Sequence, residues 1–177
     1  MREFLTLFKE IGNLKDTDRQ GWKRVGVANP ESVADHSYRC AVIGWVLGEE
    51  LDLDTKKLIK LLLIHDVPEA KIGDLTPYDV PCKEEKTDLE KRALVELLEE
   101  SGVKEKEDIV SLWKEFESGE SKEAEIARDI DKFEMILQAV EYKEKKEHAE
   151  KDFSEFITMG KKEIETPEVE RLLHWLI

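Results

Sequence analysis

An all-α fold is what this sequence predicts, and two observations carry it. Apolar residues recur at helical spacing almost from end to end, and no stretch alternates with the period of two that a half-buried strand needs. Where the pattern stops, it stops on Gly, Pro or Asn, the residues that end and restart helices. With 177 residues, 40% of them hydrophobic, the chain can bury a core of its own. A single-domain helical bundle spanning 1–177 is therefore expected.

The elements follow in order. Phe4, Leu5, Leu7, Phe8, Ile11 and Leu14 mark a short amphipathic helix. Residues 16–27 hold Gly21 and Gly26 among polar side chains and read as a loop. Asn29 and Pro30 read as a helix start, Asn capping and proline at the first helical position, where its missing N–H costs nothing. That second helix should run to about Glu50. Its inward stripe, Ser37, Cys40, Ala41, Gly44 and Gly48, is small enough for a neighbouring backbone to come close, with Trp45 filling the space beside it. Asp54 caps a third helix over 55–66, which Pro68 interrupts. Residues 73–82, with Gly73, Pro77 and Pro81, form a loop. Helices over 83–100, 106–116 and 122–145 follow, broken by Gly102 and Gly119. The last carries Ile126, Ile130, Phe133, Leu137 and Val140 on one face, with Asp131 beside it. The tail, 152–177, adds one or two short helices around Thr166 and Pro167. The acid- and lysine-rich stretches 83–107 and 141–151, with His148 in the second, read as solvated helix faces.

Composition excludes several functions. The net charge is −14, from 42 acids against 28 Lys plus Arg, so a nucleic-acid polymer would be repelled. A small phosphorylated ligand remains compatible, given a local cation. No stretch reaches the ~18 apolar residues of a membrane span, and charge at Arg2 and Glu3 comes too early for a signal sequence. A cytoplasmic protein is expected. Cys40 and Cys82 share no metal-binding or redox spacing and read as free thiols.

Four residues read as chemistry. His36, the adjacent His65 and Asp66, and Asp131 fall on three separate expected helices. Two imidazoles and two carboxylates suit a borderline divalent cation: Mn, Co, Fe, Ni or Zn. The His65, Asp66 pair closes the run 58–64, apolar but for Lys60, and a buried ionisable pair is costly unless compensated. Consecutive helical residues point about 100° apart, so the pair can share one ion only at a helix end, which Pro68 supplies. Asp35 either orients the His36 imidazole or faces solvent. Trp22 reads either as a ligand contact or as a packing anchor.

The segments Glu31-Ser-Val-Ala-Asp-His36, His65-Asp66-Val-Pro-Glu69-Ala-Lys-Ile-Gly73-Asp74 and Asp129-Ile-Asp131-Lys-Phe-Glu-Met, with Arg19-Gln-Gly-Trp22 ahead of them, resemble the HD-domain phosphohydrolase superfamily. More narrowly, they resemble its 5′-deoxynucleotidase branch. The resemblance covers nearly the whole chain. It implies that His36, His65, Asp66 and Asp131 hold one divalent transition metal ion. It implies that Glu69 and Asp74 stand beside the reacting phosphate, and that Arg19 and Trp22, with Asp74, contact the nucleotide. Pro68 departs from the small or flexible residue expected before the glutamate. Dinuclear relatives carry extra histidines between the His-Asp pair and the last Asp; none lies between 66 and 131 here, favouring one ion.

The implied reaction is hydrolysis of deoxyribonucleoside 5′-monophosphates by a water activated at the metal. Glu69 would either activate that water or protonate the leaving oxygen. A homodimer is also implied. The rivals are other HD phosphohydrolases, acting on nucleoside triphosphates, cyclic nucleotides or guanosine polyphosphates, and a non-catalytic helical interaction protein.

Overall fold

The computed structural model describes residues 4–177; Met1, Arg2 and Glu3, where the early charge was noted, lie outside the described residues. Among the described residues every extended element is helical, and Asp18 and Ser32 form one isolated antiparallel bridge. The all-α expectation holds.

The first helix, α1 (Phe4–Ile11), continues into a 3₁₀ turn over Gly12–Lys15. The expected loop at 16–27 instead contains a short helix, α2 (Gln20–Arg24). Gly21 is not a breaker there. A Cβ at that position would meet the Phe156 ring at 2.9 Å, so glycine is what lets α2 lie against this aromatic side chain.

Helix α3 (Val33–Glu50) starts at Ser32, not at Asn29. Ser32 Oγ accepts from the Asp35 amide at 3.1 Å, and Asp35 Oδ2 accepts from the Ser32 amide at 3.0 Å. This reciprocal capping box outcompetes the Asn-Pro start because it satisfies two otherwise orphaned donors. Asp35 thereby closes the cap and does not orient His36. Asp54 Oδ1 caps α4 (Thr55–Ile64) by accepting from the Lys57 amide at 2.9 Å. One turn of helix, α5 (Glu69–Ile72), follows Pro68, an element hidden from the sequence by its length.

Beyond the 73–82 loop come α6 (Lys83–Ser101) and α7 (Lys106–Ser118), each ended by a left-handed glycine, Gly102 and Gly119. The Ser121 hydroxyl caps α8 (Lys122–Glu144) by accepting from the Ala124 amide at 3.2 Å. Two helices complete the chain, α9 (Ser154–Glu163) and α10 (Pro167–Leu176).

Three apolar clusters hold these helices. The largest joins α3, α4 and α8 through Cys40, Leu58, Leu62, Ile126 and Ile130, with α10 laid on it through Val169. A second packs α1, α6 and α7 around Leu94 and Trp113. A third sets Trp22 of α2 against Ala139, Tyr142 and Phe153. The small-residue stripe of α3 is buried as expected, but Trp45 is 59% exposed. Leu62 fills the space instead: a Cβ on Gly44 would lie 2.2 Å from its Cδ1 atom. His148, expected on a solvated face, is buried with its ring edge against Tyr142.

The Gly44 contact yields a prediction of sign. Helix propensity alone favours Ala over Gly by about 1 kcal/mol, but overpacking costs about 1–3 kcal/mol, and the fully buried Leu62 has nowhere to swing. With a net loss of up to about 2 kcal/mol, Gly44→Ala should therefore lower the melting temperature, by at most roughly 4–8 °C. Gly12→Ala, where nothing lies within 4 Å of the new atom, should be neutral or raise it. Thermal unfolding of both variants followed by circular dichroism checks the contrast.

Candidate functional site

His65 caps the end of α4, and Pro68 opens α5. At this corner the chain leaves the helical path, so His65 and Asp66 can turn toward the same side. The corner is held from behind. Trp113 Nε1 donates to the His65 carbonyl at 3.1 Å, and the His65 ring stacks in tilted fashion on Phe116, with centroids 5.0 Å apart.

The two imidazoles present matching faces. His65 Nδ1 donates to the Leu62 carbonyl at 2.8 Å. His36 Nδ1 donates to the Glu134 carboxylate. Both rings thus offer Nε2, and these two nitrogens lie 3.4 Å apart. Asp131 Oδ1 lies 3.2 Å from His36 Nε2. Asp66 Oδ2 lies 3.2 Å from His65 Nε2 and 3.6 Å from His36 Nε2, yet this buried oxygen accepts no hydrogen bond. His36, His65 and Asp131 place donor atoms within 4.8 Å of one another, with Asp66 beside the same two rings.

A meeting of lone pairs like this needs positive charge at its centre. Burial and Arg19 lower the pKa of His36, but Cys40, Glu134 and Asp131 outweigh them and hold it well above its ordinary value. The place favours a proton or a cation. An orphaned buried carboxylate oxygen and two imidazoles whose outer nitrogens are already fixed by hydrogen bonds are the donor set of a divalent metal site, and the four residues fit such an ion.

Glu134 is the residue that sequence reasoning passed over. It is fully buried, and Arg39 holds it from the far side, Nε to Oε1 at 2.7 Å. Arg39 also reaches Gln138 and Glu141. The available signal was its position one helical turn beyond Asp131, on the same face of α8.

The remaining expected residues line a cavity of about 210 Å³ that opens beside Asp66 and Asp131. Arg19, the residue before α2, points Nη1 at Asp66 Oδ2 across 3.5 Å. Asp74 Oδ2 accepts from the Gln20 amide at 2.6 Å, tying the 73–82 loop to the start of α2. Glu69 is 2% exposed, and its Oε2 atom has no hydrogen-bond partner. Burial, then Asp66 and Asp74, push its carboxyl well above the usual carboxylate range, against the pull of Arg19 and Lys86. Pro68 does not displace it: the glutamate sits in the cavity wall.

Trp22 also lines the cavity but is 1% exposed, its Nε1 donating to Glu31 Oε1 at 2.9 Å. It anchors α2 on the core and shapes the wall, leaving little ring face for a ligand. A larger polar cleft of about 900 Å³ also borders Asp66 and Asp131 and shares Lys86 and Lys132 with the small cavity. It includes Glu90, on the stretch expected to be a solvated face. Burial raises the pKa of Glu90 to about 7, against the pull of Lys86.

Known proteins can be set beside this geometry. A 5′-deoxynucleotidase HDDC2 from Dictyostelium discoideum is 44% identical over 155 residues, covering 84% of this chain and 81% of its own. A 5′-deoxynucleotidase HDDC2 from Homo sapiens is 34% identical over 172 residues, covering 97% of this chain and 83% of its own. Among solved structures, a conserved hypothetical protein from Pyrococcus furiosus superposes with a TM-score of 0.79 at 32% identity, over 97% of this chain and 98% of that one. The sequence profile described as HD domain matches residues 11–172. A helical corner carrying His65 and Asp66, joined by His36 and Asp131, in a chain with these relatives, belongs to the HD domain family.

Proposed function

We propose that the protein is a metal-dependent phosphomonoesterase that hydrolyses deoxyribonucleoside 5′-monophosphates to the deoxynucleoside and phosphate. The observation that carries this reading is the convergence of His36, His65, Asp66 and Asp131, two of which, Asp66 and Asp131, also line a cavity walled by Arg19, Glu69 and Asp74. The relatives' names support the substrate class.

His36, His65, Asp66 and Asp131 would hold one divalent transition ion, whose chemistry is to acidify water and to offset charge on phosphate oxygens. Every other part belongs to the side chains. Arg19 draws the phosphate dianion to the inner end and keeps it beside Asp66. Lys86 and Lys132, both in the cavity wall, offset charge as it moves toward the leaving oxygen. Asp74, with one oxygen committed to the Gln20 amide, sets the position of the loop against the sugar. Burial and two neighbouring carboxylates oppose ionisation of Glu69 and raise its pKa well above the usual carboxylate range, which favours its protonated form. That makes it the acid for the departing 5′-oxygen. Trp22 and Phe156 belong to the same cavity wall, and the preference for deoxynucleotides rests on the relatives' names.

The assembly we propose is a homodimer. Tyr38, Val42, Trp45 and Val46 form a single exposed apolar line on α3, with Tyr38 71% and Trp45 59% exposed. A chain of net charge −14 repels its own copies except through an apolar patch, and Tyr and Trp are typical of interface centres. Both cysteines are free thiols, in keeping with a reducing cytoplasm. Among the described residues no helix is long and apolar enough to cross a membrane.

Phosphate release from a panel of 5′-deoxy- and ribonucleoside monophosphates, each divalent metal being added to chelator-stripped protein, tests the reading. Release from deoxynucleotides restored by a transition metal supports it; silence with every monophosphate overturns it. Asp66→Ala should lose bound metal and turnover together. Glu69→Gln should keep stoichiometric metal by elemental analysis while kcat falls by roughly 10²–10⁴. For the wild type, kcat should decline as pH rises through the raised Glu69 pKa, since the acid is lost there, and Glu69→Gln should lack that alkaline limb. Trp45→Glu should elute as a monomer in size-exclusion chromatography with light scattering, where the wild type elutes as a dimer.

A further inference from the structure

The outer end of the small cavity differs in chemistry from the inner end. Charged groups crowd the inner end, whereas Tyr78, Phe156 and Met159 lie among the walls farther along. Tyr78 is 65% exposed and carries the Arg24 guanidinium over its ring, 3.6 Å from the centroid. At about 210 Å³ the cavity is smaller than the roughly 300–1,000 Å³ that enclose a drug-sized ligand. The larger cleft borders the same Asp66 and Asp131, but apart from His65 its one aromatic ring, Phe116, is buried, whereas the small cavity is lined by the exposed Tyr78. An aromatic surface for the base of a nucleotide whose phosphate lies beside Asp66 is therefore found on this side.

We propose that Tyr78, stacked with Arg24, is the platform on which the nucleobase rests, and that it holds the base by its face without reading its edge. The proposal rests on the nucleotide reading above. Every base has a π-face, so stacking is tolerant of sequence, and the Arg24 guanidinium over the Tyr78 ring, itself in the cavity wall, is a further planar surface. Edge reading would need free donors and acceptors, and those at the mouth are engaged with one another. The Tyr78 hydroxyl donates to Glu155 Oε1 at 2.5 Å. Arg24 Nη2 faces Glu155 Oε2 at 3.6 Å. The Thr76 hydroxyl donates to Asp79 Oδ2 at 2.6 Å. The three groups of the Arg24, Tyr78, Glu155 cluster come from α2, the 73–82 loop and α9, so the platform is fixed before any ligand arrives.

The test compares each of the four common deoxynucleoside monophosphates with deoxyribose 5-phosphate, which has the same ester and no base. The quantity read is the ratio of kcat/KM for nucleotide to kcat/KM for the base-free ester. In Tyr78→Ala that ratio should fall on the order of tenfold for all four bases, mainly through KM. Tyr78→Phe keeps the ring and should restore it. An active wild type whose ratio is unmoved by Tyr78→Ala overturns the platform and leaves the nucleotidase reading standing. A loss confined to one base, or a Tyr78→Phe variant as poor as Tyr78→Ala, overturns it as well. A wild type that releases phosphate from none of these esters removes the nucleotide reading and the platform together.

Discussion

Where α4 stops, two consecutive side chains turn toward the same point, and the geometry of the site follows from that corner. Inside a regular helix His65 and Asp66 would diverge by about 100°. Pro68 denies the helix a continuation, Trp113 takes up the carbonyl that the helix end leaves free, and Leu62 fixes the imidazole from below. The partners then arrive on straight, well-packed helices. Asp131 lies on α8 and His36 on α3, the latter turned by a Glu134 side chain that Arg39 holds in turn. The irregular element is the one that had to be irregular.

Charge organises the surroundings on the same logic. Carboxylates gather at a point where they would repel if left alone, so the interior supplies Arg19, Arg39 and Lys132 and leaves one region where positive charge is still wanted. Glu69 stands just outside the cluster and answers the same crowding differently, with a pKa raised well above the usual carboxylate range. Two carboxyl groups three positions apart in the chain, Asp66 and Glu69, thus have their pKa values pushed in opposite directions, because imidazoles and arginine surround one and burial beside carboxylates governs the other.

Helices α4 and α6 to α8 were legible because their ends are written in local chemistry: Asp54, Gly102 and Gly119 act within a few residues of themselves. The start of α3 was misread, because the Asn29, Pro30 signal and the Ser32, Asp35 capping box are both local and only their relative strength decides. Elements of one turn, α2 and α5, exist through tertiary burial of Trp22 and Glu69 and leave no periodic trace. For the site, residue types and order pointed to His36, His65, Asp66 and Asp131 because two imidazoles and two acids on separate helices form a chemically specific set. Glu134 and Arg39 escaped because an acid and a base on helix faces look like surface residues until the fold buries the acid and pairs the half-buried arginine with it. Trp45 and His148 show the converse: side-chain identity suggested inside for one and outside for the other, and packing reversed both.

The three apolar clusters divide labour along the cavity. The His65, Asp66 corner leans on the cluster built around Trp113, while Trp22 and Phe156, which line the cavity, belong to the cluster at the far end of α8. Inner and outer ends of one binding site therefore rest on different foundations. Sequence drift in the outer foundation can reshape what the protein accepts while the donors at the inner end keep their spacing. A fold partitioned in this way lends itself to diversification of substrate with retention of reaction.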